Sequence, residues 1–403
     1  MNEERIRRIE DAYLARVYQK FPLSMVRGKG AVIYDVEGKE YIDFMSGYGV
    51  ALLGHCHPKV VRAIQRQSQI LITCHSSFYN DKRAELLEKL VRISPRGLDR
   101  IFLCNSGTES VECALKASLK FTGRREIVSM VRGFHGKTAG SLSATWNPKY
   151  RGPFQHLISR NSKFVPYGNL EKAEKAITEE TAAVIVEPIQ GEGGIHVAPN
   201  GYLQGLREIC DEKGAVLIID EVQTGFGRTG KMWASEHWNV IPDVMCVAKA
   251  MGGGLPIGAT IGKAEIMDSL KVGEHSSTFG GNPLSCAAAC ATIDVILEEN
   301  LPERARTLGE QFKRLLQKLV DELRVLREVR GLGLMLGLES RLFIYDALMK
   351  ALERRLILLY CGRNVIRFLP PLVIQMHHIR RAVEILREIF LEEEKGLAEG
   401  RRR

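Results

Sequence analysis

Three apolar runs, AAVIVEP (182–188), AVLIIDE (215–221) and DVMCVAK (243–249), each pass abruptly from an unbroken aliphatic stretch to charged residues or a turn. A strand with no polar alternation must be buried on both faces, as in the middle of a parallel sheet. Between the first two runs, residues 201–213 have helical period and stop at Gly214, which gives the βαβ rhythm. The prediction is an α/β fold with a large domain built on a mainly parallel sheet. After Asn282 the pattern changes. The spacing of Phe312, Leu315, Leu316, Leu319 and Leu323 predicts an amphipathic helix, while GLGLMLGLE and NVIRFLPPLVI read as strands of a smaller α+β domain. The expected division is an N-terminal segment (1–44) packing with the small domain, a large domain (45–290) and a C-terminal small domain (291–403). The tail EGRRR is expected to fray.

Composition excludes several function classes. A net charge of +9 could suggest nucleic acid, but Lys and Arg are interleaved with Asp and Glu except at Arg401, Arg402 and Arg403. Attraction for small anionic substrates is the better reading. The start MNEERIRRIEDAY has no apolar signal core and no run is long enough to span a bilayer, so a cytoplasmic protein is expected. Nine scattered cysteines with no CxxC pair fit reduced thiols, and Cys286 and Cys290, one helical turn apart without further ligands, read as core residues.

Open α/β sheets bind ligands at the carboxyl ends of their strands. In LCNSGTES, a strand end runs into a helix start, with Ser106 as cap and Glu109 at capping-box spacing. Unpaired N–H groups there, with Gly107 allowing close approach, suit a phosphate, although a plain capped helix has the same letters. In FHGKT, Gly136, Lys137 and Thr138 imitate the end of a P-loop, but Val131 stands where that loop needs glycine. Phe134 and His135 offer flat rings for a planar partner, or simple core packing. Asp220 ends its apolar strand and needs a cation. An arginine could serve, but the next strand ends at Lys249. An amine desolvated in an apolar pocket loses affinity for its proton and becomes a nucleophile and then a base, and Gly252, Gly253 and Gly254 beside it would leave room for a bulky group bonded to it.

Through GHCHP, NSGTES, FHGK, EPIQGEGG, DEVQTGFGRTG, AKAMGGGLPIGA, STFGGNP and IRFLPPLVI, the chain resembles over nearly its whole length the class III (ornithine, acetylornithine and 4-aminobutyrate type) aminotransferases. The resemblance implies fold type I, in which the mainly parallel sheet of the large domain is of the seven-stranded type, and pyridoxal 5'-phosphate as the cofactor. The resemblance implies that Lys249 bonds the cofactor aldehyde and Asp220 pairs with its pyridine nitrogen. Phe134 and Val222 would flank the ring, with His135 among its neighbours and Gln223 at its hydroxyl. Ser106, Gly107 and Thr108 would lie at the phosphate, and Thr278 would reach the phosphate of the neighbouring subunit in a homodimer or a dimer of dimers. Arg367, in an otherwise apolar strand, would grip a substrate carboxylate, with Glu192 covering it when other substrates bind.

The implied reaction is ping-pong transfer of a terminal amino group from an ornithine- or acetylornithine-like donor to 2-oxoglutarate. Tyr48 matches a tyrosine that helps to hold ornithine, and TAGSLSATWNPKYRGPF is most like archaeal enzymes of lysine and arginine biosynthesis. Lys137 stands where arginine is usual in the family, and in this it resembles putrescine aminotransferases. Putrescine, 4-aminobutyrate or a broad amine donor, and pyruvate as acceptor, therefore stay open. Rival readings are an aminomutase or racemase on the same scaffold and a nucleotide-binding protein.

Overall fold

A computed structural model describes residues 1–399; the basic tail, residues 400–403, lies outside the described residues. The central sheet has seven strands in the spatial order Arg100–Cys104, Gly258–Gly262, Val244–Val247, Val216–Asp220, Thr181–Val186, Glu126–Met130, Ser162–Val165. Gly258–Gly262 is antiparallel to both neighbours and the other six run one way.

Side-chain alternation explains the unbroken apolar runs. Ala183, Ile185, Val216 and Ile218 enter one core with Val111, Ala114 and Leu115 of the helix Gly107–Thr122, while Val184, Val186, Leu217 and Ile219 enter another with Leu203, Leu206 and Cys210 of the helix Tyr202–Lys213. The latter helix ends on Gly214 at φ 63°, as its sequence requires. Cys286 and Cys290 are buried in the helix Pro283–Glu298, and burial pushes both thiols up to about 12. Residues 290 and 291 lie within this helix, so the backbone runs unbroken through the expected division.

Strands Met25–Lys29, Val32–Asp35 and Glu40–Asp43 form a sheet that Leu356–Ile357 joins in parallel, tying the two ends of the chain together. A second four-stranded sheet contains Leu326–Leu332, Met335–Ser340, Val365–Phe368 and Leu359–Cys361. Two expectations change here. GLGLMLGLE is a hairpin, broken at Gly333 (φ 53°), where any Cβ would meet the Thr229 carbonyl carbon at 2.4 Å. NVIRFLPPLVI is a strand only through Phe368, because Pro370 and Pro371 cannot donate to the ladder. The helix Leu301–Glu322 buries Phe312, Leu316 and Leu319 and stops one residue before Leu323. Across the junction between the two sheets, the fully buried Arg228 guanidinium donates to the carbonyls of Leu334 and Pro370.

Candidate active site

Five of the parallel strands deliver polar groups at their carboxyl ends, four of them side by side and the first, Arg100–Cys104, set off from these by the antiparallel Gly258–Gly262. Asp220 closes Val216–Asp220, and the parallel register Asp220↔Cys246 sets Lys249 just beyond the end of the adjacent strand. Burial pushes the Lys249 amine below its ordinary value, against the opposing carboxylates of Glu192 and Asp220. Nζ makes no hydrogen bond among the described residues, which leaves the amine available. The glycines after it play a different part from the one expected. A Cβ on Gly252 would meet Ile257 at 2.9 Å, and one on Gly253 would meet Thr292 Oγ1 at 2.5 Å. Those two serve close packing of the turn on the core, and of the three only Gly254 faces open space.

Asp220 is 5% exposed, and its direct partner is His135, whose Nδ1 lies 2.7 Å from Oδ2. The other carboxylate oxygen accepts from the Val222 N–H at 3.0 Å. His135 thus stands behind Asp220 as its orienting group, with Nε2 buried and unpartnered. Beside it lies Glu187, which AAVIVEP and EPIQGEGG both contain but to which the sequence reading gives no role. Its oxygens accept from the N–H of Phe134 and of Gly191, both at 2.9 Å, so it staples the two loops that bear Phe134 and Glu192. The signal that could have found it is a carboxylate ending an apolar strand, as in Asp220.

Burial pushes the Glu187 carboxyl from 4.5 up to about 7, against His135 and its two backbone donors. A raised folded-state value means stability fully present below 4.5 and lost as pH rises through about 7. The cofactor-free protein is therefore expected to lose up to roughly 3 kcal/mol over that window from this group. Glu187→Gln should flatten the slope, while starting less stable because an amide faces two N–H donors. Denaturant melts across the window check it. Parallel slopes for the two proteins would mean that Glu187 is ionised in the fold throughout.

At the first strand, Ser106 caps Gly107–Thr122, its Oγ accepting from the Glu109 N–H at 3.4 Å. Glu109 reaches one residue past the capping-box position, to the Asn105 N–H at 2.6 Å. A Cβ at Gly107 would meet Val222 Cγ1 at 2.6 Å, so glycine is needed where the helix start approaches that side chain. Thr108 Oγ1 joins Thr138 and Ser141 at 2.8 and 2.6 Å, and Glu112 takes the Thr138 hydroxyl. The GKT fragment is thus tied to a carboxylate.

The cleft continues to Arg367, which is 0% exposed and donates from Nη1 to Glu192 at 2.8 Å and to Gln223 at 3.3 Å. Its Nε and Nη2 are buried without partners. Burial alone would raise the Glu192 carboxyl, but Arg367 offsets this and leaves it below its ordinary value. The Tyr48 ring lies 5.5 Å from the Arg367 guanidinium. Tyr150, also unforeseen, is edge-on to Phe134 at 6.0 Å. Lys137 is exposed, its ammonium 4.8 Å from the Tyr150 ring. Thr278 is not brought into this cluster; it is exposed, on a loop beside Asn105 and Glu109.

A sheet whose carboxyl edge gathers an unpartnered lysine, a carboxylate–histidine pair and a helix N-terminus has the parts of a cofactor-dependent group-transfer site. The particular family follows from comparison. Residues 13–390 match the family Aminotransferase class-III, and the chain belongs to it. It is 50% identical over 333 residues to the acetylornithine aminotransferase of Methanopyrus kandleri, covering 83% of this chain and 85% of that one. It is 47% identical over 389 residues to the LysW-aminoadipate semialdehyde transaminase of Deinococcus radiodurans, covering 94% and 89%. The ornithine aminotransferase of Toxoplasma gondii, solved with partial occupancy of PLP at its active site, superimposes with a TM-score of 0.94 at 34% identity, covering 98% of this chain and 95% of that one. The protein is a PLP-dependent aminotransferase that moves a terminal amino group from a small-molecule donor to an oxo acid. The residues present suit that cofactor: the free Lys249 amine, the Asp220–His135 pair, and the Gly107 helix start that no Cβ could occupy.

Proposed function

We propose that the donor is ornithine or acetylornithine-like and the acceptor 2-oxoglutarate. The observation that carries this is Arg367, a fully buried guanidinium whose only carboxylate partner among the described residues is the partly exposed Glu192 and whose remaining N–H groups are unpaired. A substrate carboxylate could displace Glu192 and take the bidentate place. Donor and acceptor would then alternate in one pocket, as ping-pong transfer requires. When bound, PLP supplies an electron sink for the carbon that loses its proton. Lys249 would bond the cofactor and then move that proton. Asp220, oriented by His135, would hold a proton on the ring nitrogen; Phe134 and Val222 would lie on its faces, and Gln223 at its hydroxyl. Ser106, Gly107 and Thr108 would receive the phosphate.

A homodimer fits the surface around Thr278. Arg83 bonds the carbonyls of Cys74 and Gly281, holding residues 69–80 against the loop that bears Thr278. Ile70, Phe78, Tyr79 and Phe279 are exposed there, a patch that suits a second copy of this chain. Thr278 of the partner subunit would complete the phosphate site.

A second reading takes a LysW-linked aminoadipate semialdehyde, named for the Deinococcus relative, as the substrate. It is favoured by the mouth of the cleft, a cavity of about 670 Å³ whose lining includes Arg132, Lys149, Arg327, Arg330 and Arg363 against Glu192 and Glu339. Lys137 lies beside that mouth, its ammonium 4.8 Å from the ring of Tyr150, which lines the cavity, and its charge acts on Glu192. If it clamps the distal carboxylate of ornithine-like donors, Lys137→Arg should improve them. Lys137→Ala should then weaken them several-fold, up to about tenfold for so exposed a charge, and leave 2-oxoglutarate little changed. For a diamine the sign reverses, since a second cation is repelled. Specificity constants for ornithine, acetylornithine, a LysW-linked donor, 4-aminobutyrate and putrescine, at low and high salt, decide among these. No change in donor ratio would remove Lys137 from the site.

A further inference from the structure

Ser46, Gly47, Tyr48 and Gly49 have φ of 43°, 62°, 61° and 87°, four consecutive residues in the left-handed region. Glycine adopts it freely, but Ser46 and Tyr48 carry a Cβ and normally avoid it. Such a turn persists only where its surroundings over-determine it. Here they do. Asp43 Oδ1 accepts from the N–H of Met45 and of Ser46 at 2.8 and 2.9 Å, and Asp43 Oδ2 is held 2.7 Å from His55 Nε2. The buried Ser46 hydroxyl donates to the Leu369 carbonyl at 2.6 Å, and the Leu369 N–H returns to Phe44 O at 2.8 Å.

Leu369 is two residues beyond Arg367, so the bond made by Ser46 anchors the turn to the strand that carries the guanidinium. The turn presents Tyr48, 42% exposed, with its ring 5.5 Å from that guanidinium. We propose that residues 46–49 are a strained, pre-set turn that fixes the span between Tyr48 and Arg367, and hence which substrates the Arg367 pocket accepts, with Ser46, Asp43 and His55 as positioning residues. This rests on the reading that Arg367 and Tyr48 hold substrate.

Two variants probe the turn without touching that pair. Ser46→Ala removes the bond to Leu369. Gly47→Ala adds a Cβ whose nearest contact is an ordinary 3.7 Å from Val50, so it acts through backbone conformation alone. In the PLP-loaded enzyme each should raise the KM for 2-oxoglutarate about fivefold, the effect typical of one neutral hydrogen bond for Ser46→Ala and of one non-glycine residue held in the left-handed region for Gly47→Ala, with kcat, the visible spectrum and the melting temperature little changed. Ser46→Ala should also shift the ratio of specificity constants between 2-oxoglutarate and the shorter pyruvate. Tyr48→Ala and Arg367→Lys serve as controls. If neither control changes the KM for the oxo acid, the reading of the pocket fails. If the controls change it but Ser46→Ala and Gly47→Ala do not, or if these two lower kcat and stability with no change in KM, the turn is merely structural and the proposal is overturned. Should Ser46→Ala not fold, Gly47→Ala alone decides between these outcomes.

Discussion

Lys249→Ala is expected to keep the fold and lose at least about a thousandfold in transamination, the upper part of the range for a group that moves a proton at the reacting carbon. Alanine removes the only amine among the described residues placed at the ends of the central strands beside Asp220, and no neighbour can replace it, because Lys137 is exposed at the mouth of the cleft. Folding should be little affected. Nζ holds no hydrogen bond to lose, and the turn that starts at Lys249 is set by the packing of Gly252 and Gly253 against Ile257 and Thr292. Borohydride treatment of the PLP-loaded protein followed by peptide mapping gives an independent readout. Cofactor should be attached at Lys249 in the wild type and nowhere in the variant. A label on another lysine, or a variant within tenfold of wild type, would sink the assignment.

The site is legible in the sequence to the extent that it is made of strand ends. Asp220 and Lys249 can be read because aliphatic strands buried on both faces cannot carry charge until they reach the edge of the sheet. The same logic applied to AAVIVEP finds Glu187. Which group meets which is not written in any local stretch. His135 is 85 residues from Asp220, and the serine that anchors the Tyr48 turn is 323 from the carbonyl it bonds. Neither pairing leaves a local pattern, since each depends on how separate elements are brought together. Arg367 can be singled out because it interrupts an apolar strand. Its unpaired Nε and Nη2 emerge only from packing.

The differences in fold have the same origin. GLGLMLGLE is uniformly apolar and glycine-rich, so period and composition do not say which glycine turns the chain. The backbone of Arg228 and Thr229 passing against Gly333 decides it. The glycines after Lys249 read as space for a cofactor because their neighbours Ile257 and Thr292 come later in the chain, and Thr292 lies on the helix Pro283–Glu298.

Asp220→Asn is expected to keep the fold and bind PLP, yet lose roughly a hundredfold or more in kcat. The native carboxylate accepts from His135 Nδ1 through one oxygen and from the Val222 N–H through the other, which holds it rigidly at the strand end. An asparagine can preserve the bond from Val222 but presents N–H groups on its other side, and an amide cannot take up the charge needed to keep a proton on a ring nitrogen. A hydrogen bond to a charged group is worth about 1.5 to 3 kcal/mol, and each ~1.4 kcal/mol at the transition state is tenfold in rate. The stabilisation would be needed most while Lys249 moves the substrate proton and PLP supplies its electron sink, so kcat should fall further than the affinity for either substrate. His135→Asn supplies the graded comparison. It leaves the carboxylate in place but removes the imidazole that orients it, and should cost about tenfold while the visible spectrum of the loaded enzyme stays close to wild type. If Asp220→Asn turns over near normally, the carboxylate is only a partner for His135. If His135→Asn is the more damaging of the two, the imidazole holds the ring nitrogen and the order of the pair is reversed.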